Sequence, residues 1–212
     1  MSIAKVNPTR MELTKLKRKL ITAIRGHKLL KDKRDELVRR FIRLVRENDA
    51  LRREVEKQLE AVLKDFALAR AVMEPGALRQ ALLYPARQAQ ISVGRRSILS
   101  VRVPEYAMDP ESLTRVRLPY GMAETSAQLD NAITTMAEVM PRLIELAEVE
   151  KTASLLADEI QKTRRRVNAL EYIMIPQFEE TIRFITMKLE ENERGALTRL
   201  MKVKEMIKDR AT

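Results

Sequence analysis

Two long stretches of this 212-residue chain carry apolar residues at heptad spacing. In the first stretch, two interleaved sets of positions seven apart hold 18 residues, of which 13 are apolar. These positions are Leu13, Leu20, His27, Arg34, Phe41, Asn48, Val55, Val62 and Ala69, with Leu16, Ala23, Leu30, Leu37, Leu44, Leu51, Gln58, Asp65 and Val72. Such a seam predicts a coiled-coil helix. Past Val55 we expect the stripe to drift toward Leu59, Leu63 and Phe66, because a straight helix does not keep a strict heptad.

The first helix has clear start and stop signals. It can begin at Asn7 with Pro8 as its first residue, or at Thr9 with Glu12 completing a capping box. The run Glu74-Pro75-Gly76 is expected to end it, since proline disfavours a helical residue before it and glycine suits a turn.

A second helix is predicted from Thr125, with Gln128 three residues later as its capping-box partner. Pro141 and Pro176 should bend this helix locally without ending its apolar stripe. The stripe comprises Leu129, Ile133, Met136, Met140, Leu143, Leu146, Val149, Ala153, Leu156, Ile160, Val167, Leu170, Met174, Phe178, Ile182, Ile185 and Leu189. A single connection joins the two helices, so antiparallel pairing within the chain is the simplest way to bury both stripes.

The segment between the helices differs in composition, with five of the eight prolines in residues 75–121. We expect a short helix over Ala77–Tyr84 and a hairpin made of strands Ile98–Val103 and Leu113–Leu118. The predicted fold is therefore all-α: a long antiparallel two-helix coiled coil with a small central head containing a short β-hairpin. Its segments are 1–74 (first, basic helix), 75–121 (head) and 122–212 (second, longer helix).

Positive charge is concentrated at one end of the sequence. The net charge is +11, and residues 1–46 alone hold 15 basic and four acidic side chains, so the remainder is neutral. This asymmetry indicates a polyanionic partner, such as nucleic acid, an anionic membrane surface or an acidic protein surface. A solvated basic helix face is the alternative interpretation.

The sequence contains no recognisable catalytic, cofactor or metal motif. Its five glycines are too scattered for a phosphate-binding loop, and the absence of cysteine together with a single histidine, His27, disfavours a zinc site. We expect His27 to be a packed or partner-facing helical residue. No apolar run is long enough to span a bilayer, and the N-terminus lacks a signal-peptide pattern, so we expect a cytoplasmic, non-catalytic protein without a cofactor.

Two collinear sets of motifs resemble a known family. Residues 8–13 and 26–37 are similar to the start of the D subunit of V-type (archaeal and bacterial A/V-type) ATPases. Residues 146–152, then 163–171 with Ile175-Pro176, are similar to its second helix. Near the end, the chain has Gly195-Ala196-Leu197-Thr198 where that family usually carries an aromatic residue before Arg199-Leu200.

The resemblance implies a non-catalytic central-stalk subunit that transmits torque between the catalytic hexamer and the membrane ion-translocating ring. It further implies contacts with the catalytic A and B subunits, with the F subunit on the side of the coiled coil, and with the adaptor on the membrane ring. Neither nucleic acid nor direct insertion into the membrane is implied. The chain would be cytoplasmic and held at the membrane through the ATPase complex.

We consider eleven basic residues as candidates for partner binding. They are Arg10, Lys15, Lys17, Arg18, Lys19, Arg25, Lys28, Arg164, Arg165, Arg166 and Arg199. The alternative function is that of a basic coiled-coil protein that binds nucleic acid or an anionic membrane. The low aromatic content, 4 %, argues against it, because it leaves no stacking platform for single strands.

Overall fold

The computed structural model describes residues 7–83, 89–108, 118, 120–121 and 125–211. Its elements are α1 (Arg10–Val72), α2 (Pro75–Leu82), β1 (Ile91–Ile98), β2 (Val101–Met108), α3 (Ala127–Ala169), a π-helical turn (Leu170–Met174) and α4 (Ile175–Ala211). The predicted all-α class with a small hairpin is confirmed. The chain divides into two compact units: unit 1 is Met1–Asp35 with Gln161–Thr212, and unit 2 is Glu36–Ile160.

Helix α1 begins at the capping box and not at the proline. Thr9 precedes the first helical residue, Arg10, and its Oγ1 accepts a hydrogen bond of 3.3 Å from the backbone N–H of Glu12. This satisfies one of the N–H groups that have no partner within the helix. Asn7 and Pro8 lie outside the helix, so the alternative start is wrong.

The predicted seam of α1 is the face that is buried. Every one of its eighteen positions is buried or half-buried except Val72, which ends the helix and is exposed while the next residue, Met73, is buried. The expected drift is confirmed for Leu59 and Phe66, which pack against a buried cluster. It is wrong for Leu63, which is exposed.

Pro75, which was predicted to end the first helix, is found at the start of the next one. Glu74 is extended, as expected for a residue before proline, and Pro75 is the first residue of α2. Gly76 therefore lies within a helix and makes no turn. The short helix was expected from Ala77, two residues later than its observed start.

Helix α3 begins one position after the predicted cap. Ser126 precedes its first residue, and the Ser126 Oγ accepts a hydrogen bond of 3.4 Å from the N–H of Leu129. Thr125 instead donates its hydroxyl to the carbonyl of Gly121 at 3.2 Å, so the predicted Thr125 cap is wrong.

The two prolines of the second helical stretch have different effects. Pro141 lies inside α3, which continues through it. Pro176 is the second residue of α4 and directly follows the π-helical turn. A proline ring clashes with the carbonyl four residues earlier in an α-helix, and a widened turn at that place relieves the clash. The interruption of regular α-helix at residues 170–174 was not predicted.

The hairpin lies earlier in the sequence than predicted. β1 and β2 pair antiparallel with Ile98 opposite Val101, and Leu99 and Ser100 form the two-residue turn between them. The predicted strand Ile98–Val103 is wrong because it contains this turn, in which both central residues have positive φ (49° and 71°). Of the other predicted strand, Leu118 is not in a strand. Residues 113–117 lie outside the described residues.

Unit 2 buries its hydrophobic residues in three clusters. One joins Leu37 of α1 and Leu156 of α3 to Val101 and Val103 of the hairpin. The second lies between α1 and α3 and contains Val55, Val62, Ala132 and Val139. The third joins Ala69 and Met73 to α2 through Ala81 and to α3 through Leu129.

Ion pairs show that the helices are antiparallel within each unit. In unit 2, Arg52 pairs with Glu150 at 3.8 Å, and Glu54, further along α1, pairs with Arg142, which is earlier in α3. In unit 1, Arg10 pairs with Glu193. The His27 Nε2 also lies 3.3 Å from the Glu171 Oε2. The His27 side chain is only 19 % exposed, which agrees with the prediction of a packed or partner-facing residue.

Candidate partner-binding surface

The basic residues at the start of α1 are exposed in unit 1. Lys15, Arg18 and Lys19 follow the spacing i, i+3 and i+4, which places them on one helix face. Arg25 is also exposed and, seven residues after Arg18, lies close to the same face. Lys17 and Lys28 are exposed on the opposite side of the helix.

Only two of the seven candidate cations on α1 have a carboxylate partner among the described residues. Arg10 pairs with Glu193, and Lys15 pairs with Glu12 at 3.3 Å. The other five candidates on this helix are free to bind an external anion.

The candidates on the second helical stretch do not form one site. Arg164, Arg165 and Arg166 are all exposed, but successive helical residues are about 100° apart, so the three side chains fan out around α3. Arg199 donates its Nε–H to the carbonyl of Gly195 at 3.1 Å and lies on α4. None of these four arginines lines the groove that Lys15, Arg18 and Lys19 share.

A wide groove accompanies the cations of α1 in unit 1. It encloses about 1000 Å³, and Met11, Leu170, Met174 and Phe178 provide its apolar walls. Lys15, Arg18 and Lys19 line the same groove. Three of the candidate residues are thus brought together beside an apolar surface.

The groove was not predicted from the sequence, although two features of the chain are associated with it. Ala23 and Gly26 are small residues on the α1 side, and an added Cβ at Gly26 would meet nothing within 4 Å. On the other side, the π-helical turn leaves Met174, a predicted stripe residue, 42 % exposed. Small side chains opposite an irregular turn leave space that the larger side chains of a regular coiled coil would fill.

A second apolar surface occupies the last turns of α4. Leu197, Leu200, Met201 and Ile207 are each more than half exposed. They follow the Arg10–Glu193 ion pair, which joins α4 to the first residue of α1. Spacings of three, four and seven residues place them on one stripe. They lie beyond Leu189, the last residue of the predicted stripe.

Unit 2 holds a different kind of arrangement, in which one carboxylate joins the hairpin to α3. Glu148 accepts a hydrogen bond of 2.8 Å from the backbone N–H of Tyr106 and pairs with Arg96 at 3.2 Å. Its side chain is only 16 % exposed. Such a charge-assisted contact positions the hairpin on α3.

The described residues contain neither a cluster of metal ligands nor a helix that could cross a membrane. No three His, Asp or Glu side chains converge as ligands within the described ranges. No described helix is both long enough and apolar enough to cross a bilayer. The two surfaces of unit 1, cationic beside apolar, are suited to contact with another macromolecule.

Comparison with known proteins decides the family. The family model for the D subunit of ATP synthase matches residues 12–205. The chain is a member of the ATP synthase D-subunit family. The V-type ATP synthase D subunit of Clostridium novyi (strain NT) is 58 % identical over 204 residues, which cover 95 % of this chain and 94 % of the relative.

Two further D-subunit relatives match at nearly full length. That of Clostridium botulinum (strain Langeland / NCTC 10281 / Type F) is 56 % identical over 97 % of this chain and 96 % of its own length. That of Thermoanaerobacter sp. (strain X514) is 53 % identical over 98 % and 99 %. The resemblance found in the sequence motifs is confirmed. A D subunit is one part of a V-type ATP synthase and not an enzyme by itself, as the sequence analysis expected.

Proposed function

We propose that the chain is the central-stalk (rotor) subunit of a V-type ATP synthase. In this role it transmits torque between the catalytic hexamer and the membrane ion-translocating ring. The observation that supports this most strongly is the D-subunit match over residues 12–205. The cytoplasmic position, at the membrane through the complex, belongs to the same proposal.

Torque transmission requires paired helices that do not slip past each other. In unit 2, fully buried Leu37, Val55 and Leu156 hold α1 and α3 together. Ion pairs between the helices, such as Arg52–Glu150, oppose sliding because they require one register. These contacts support a shaft, since a twist applied to one helix must be carried by the other.

Unit 1 is proposed to contact the catalytic A and B subunits. Its exposed stripe on α4 offers apolar anchors, and its free cations offer attraction to acidic surfaces. The eleven candidate residues named above, from Arg10 to Arg199, would contribute the charged part of these contacts. The two helices carry different side chains, so one shaft can present a different surface to each catalytic interface around it.

The remaining contacts are assigned to other segments. We propose that the F subunit binds the side of the coiled coil and that the head, residues 75–121, acts toward the membrane-ring adaptor. The head and the helical segments 1–74 and 122–212 would then be functional divisions of the chain.

Reconstitution tests this function. Removing the chain from a complex purified from native membranes should abolish ATP-driven ion transport while the catalytic head still hydrolyses ATP. Adding the chain back should restore transport. Persistent transport without the chain would contradict the proposal. Failure to enter the complex, together with salt-dependent binding of DNA or anionic vesicles, would favour the alternative function.

A further inference from the structure

The hairpin of unit 2 has two outer edges, and the register of its strands fixes which backbone groups point outward. Ile98 and Val101 flank a two-residue turn, so they form a hydrogen-bonded pair. Hydrogen-bonded and non-hydrogen-bonded pairs then alternate along the ladder. Outward-pointing N–H groups therefore belong to Ile91, Val93, Arg95 and Ser97 on β1, and to Arg102, Tyr106 and Met108 on β2.

The outer edge of β2 is closed. Pro104, which is opposite Arg95, has no N–H to offer. The N–H of Tyr106 is already bound by the Glu148 carboxylate at 2.8 Å. Nearer the turn, the side chains of Val101 and Val103 are buried against α1 and α3. Another strand cannot be added on this side.

Among the described residues, nothing covers the outer edge of β1. All residues from Ile91 to Ser97 are exposed, and none of the four outward N–H groups has an acceptor in the part of the chain that the structure describes. An open edge of this length is a template for pairing, and proteins usually block it with proline, a bulge or a covering element. β1 has none of these among the described residues.

The exposed arginines of the hairpin indicate what kind of strand would pair with the outer edge of β1. Arg95 on β1 and Arg102 on β2 are exposed, and no carboxylate pairs with either within the described residues. A second copy of the same strand would bring Arg95 and Arg96 close to their own counterparts, which is unfavourable. An extended segment with acidic side chains would satisfy both the backbone groups and the arginines.

We propose that β1 is a docking edge on which an extended acidic segment of another protein of the complex adds as a third strand. Backbone hydrogen bonds would supply the affinity, and the arginines the preference for acidic residues. The inference rests on the proposed function only in taking the partner from the ATP synthase complex.

Residue-resolved hydrogen exchange in the assembled complex tests the proposal. After exchange and quenching, the chain is recovered and its amides are read by NMR. The amides of Val93 and Arg95 should exchange at least tenfold more slowly in the complex than in the isolated chain. Those of Gly94 and Arg96 point into the hairpin and should be protected in both. This alternation distinguishes an added strand from simple covering, which would slow exchange without regard to backbone direction.

Two pairs of variants add an independent measurement. Val93→Pro removes one outward N–H and leaves the inner ladder intact, whereas Val93→Thr keeps that N–H. The dissociation of Val93→Pro from the complex should be roughly two- to tenfold faster than that of Val93→Thr, the factor expected for one hydrogen bond. Arg95→Glu should also dissociate faster than Arg95→Lys. Protection of Gly94 and Arg96 in each isolated variant verifies that its hairpin is folded.

Three results would overturn the proposal. The first is that the amides of Val93 and Arg95 exchange equally fast in the complex and in the isolated chain, and the second is that they are protected without the alternation. The third is protection in the isolated chain that rises with its concentration, because this would indicate a second copy as the occupant. The proposed function fails differently, because the chain would then not enter the complex at all.

Discussion

The two units place their apolar and charged residues in opposite ways. Among the described residues, unit 2 contains twelve of the fifteen buried hydrophobic residues, and unit 1 contains three. Fourteen of the 23 exposed large hydrophobic residues belong to unit 1. Unit 1 holds 23 basic and 11 acidic residues, whereas unit 2 is nearly neutral with 18 and 19.

This difference indicates what each unit relies on for its stability. Unit 2 buries its apolar residues within the chain, through α2, the hairpin and the paired helices. Unit 1 leaves apolar stripes uncovered beside unbalanced positive charge, an arrangement that marks binding surfaces. We infer that unit 2 holds its own fold and that unit 1 is completed by its partners.

The largest expected effect is on the core of unit 2. Leu156→Ala removes a side chain that is 1 % exposed and packs in the cluster with Leu37 and Val103. We expect the free energy of unfolding to fall by about 2–5 kcal/mol, as measured by urea denaturation. Leu200→Ala, on the exposed stripe of unit 1, should change it by less than about 0.5 kcal/mol. Similar losses for the two variants would contradict the comparison.

The next effect should appear in association and not in folding. Changing Lys15, Lys17, Arg18 and Lys19 together to Gln should preserve helicity, because Gln is a good helix former. Association with the catalytic hexamer should slow by about tenfold or more at low salt and lose much of its salt dependence, because surface charge acts mainly on the association rate. Stopped-flow measurements over a range of salt concentrations would record both changes.

A charge-matched control uses exposed cations of unit 2. Arg43, Arg46, Lys57 and Arg70, changed together to Gln, remove the same number of charges. A slowing as large as that of the unit 1 variant would show that net charge alone matters, and would remove the special role of unit 1.

A smaller effect concerns the attachment of the hairpin to α3. Glu148→Ala leaves the N–H of Tyr106 without its acceptor and Arg96 without its ion pair. We expect a loss of about 1–3 kcal/mol in the local stability of the hairpin, measured by hydrogen exchange of β2. Glu138→Ala, an exposed change on the same helix, should leave that exchange unaltered. Equal effects of the two changes would show that Glu148 is not what holds the hairpin.

The smallest effect is a pH dependence at the start of α3. Tyr120 donates its hydroxyl to Asp130 at 2.7 Å, and burial, with this hydrogen bond, raises the pKa of Tyr120 well above its usual value. A raised pKa means that the native state keeps a proton that the unfolded state loses near pH 10. Stability should therefore fall as the pH rises above about 10. Tyr120→Phe should remove that part of the pH dependence in thermal denaturation.

The spacing of apolar residues predicted the helices, because the residues that form one buried face lie only three or four positions apart in the sequence. The seam from Leu13 to Ala69 follows from apolar spacing, and the capping box at Thr9 from two side chains close together. The hairpin strands could not be placed in the same way. The residues of β1 are almost all exposed, so they show no alternation, and Leu99 and Ser100 are not usual turn residues.

Of the candidate site, only the charged residues were predicted from the sequence. The sequence contains the cations of α1, but the groove beside them depends on the π-helical turn at 170–174 and on the small residues Ala23 and Gly26 opposite it. Such geometry depends on packing between residues that are far apart in the sequence. The contribution of Glu148 was likewise hidden, because it depends on a hairpin N–H that lies 42 residues away.

Rotation of the chain inside the catalytic hexamer tests the central claim most directly. The sequence has no cysteine, so Ala67→Cys provides a unique attachment point on an exposed position of unit 2. With the hexamer fixed to a surface, a bead attached there should turn in one direction when ATP is added and stop when ATP is removed. A bead that stays still while the same complexes hydrolyse ATP would contradict a rotor function.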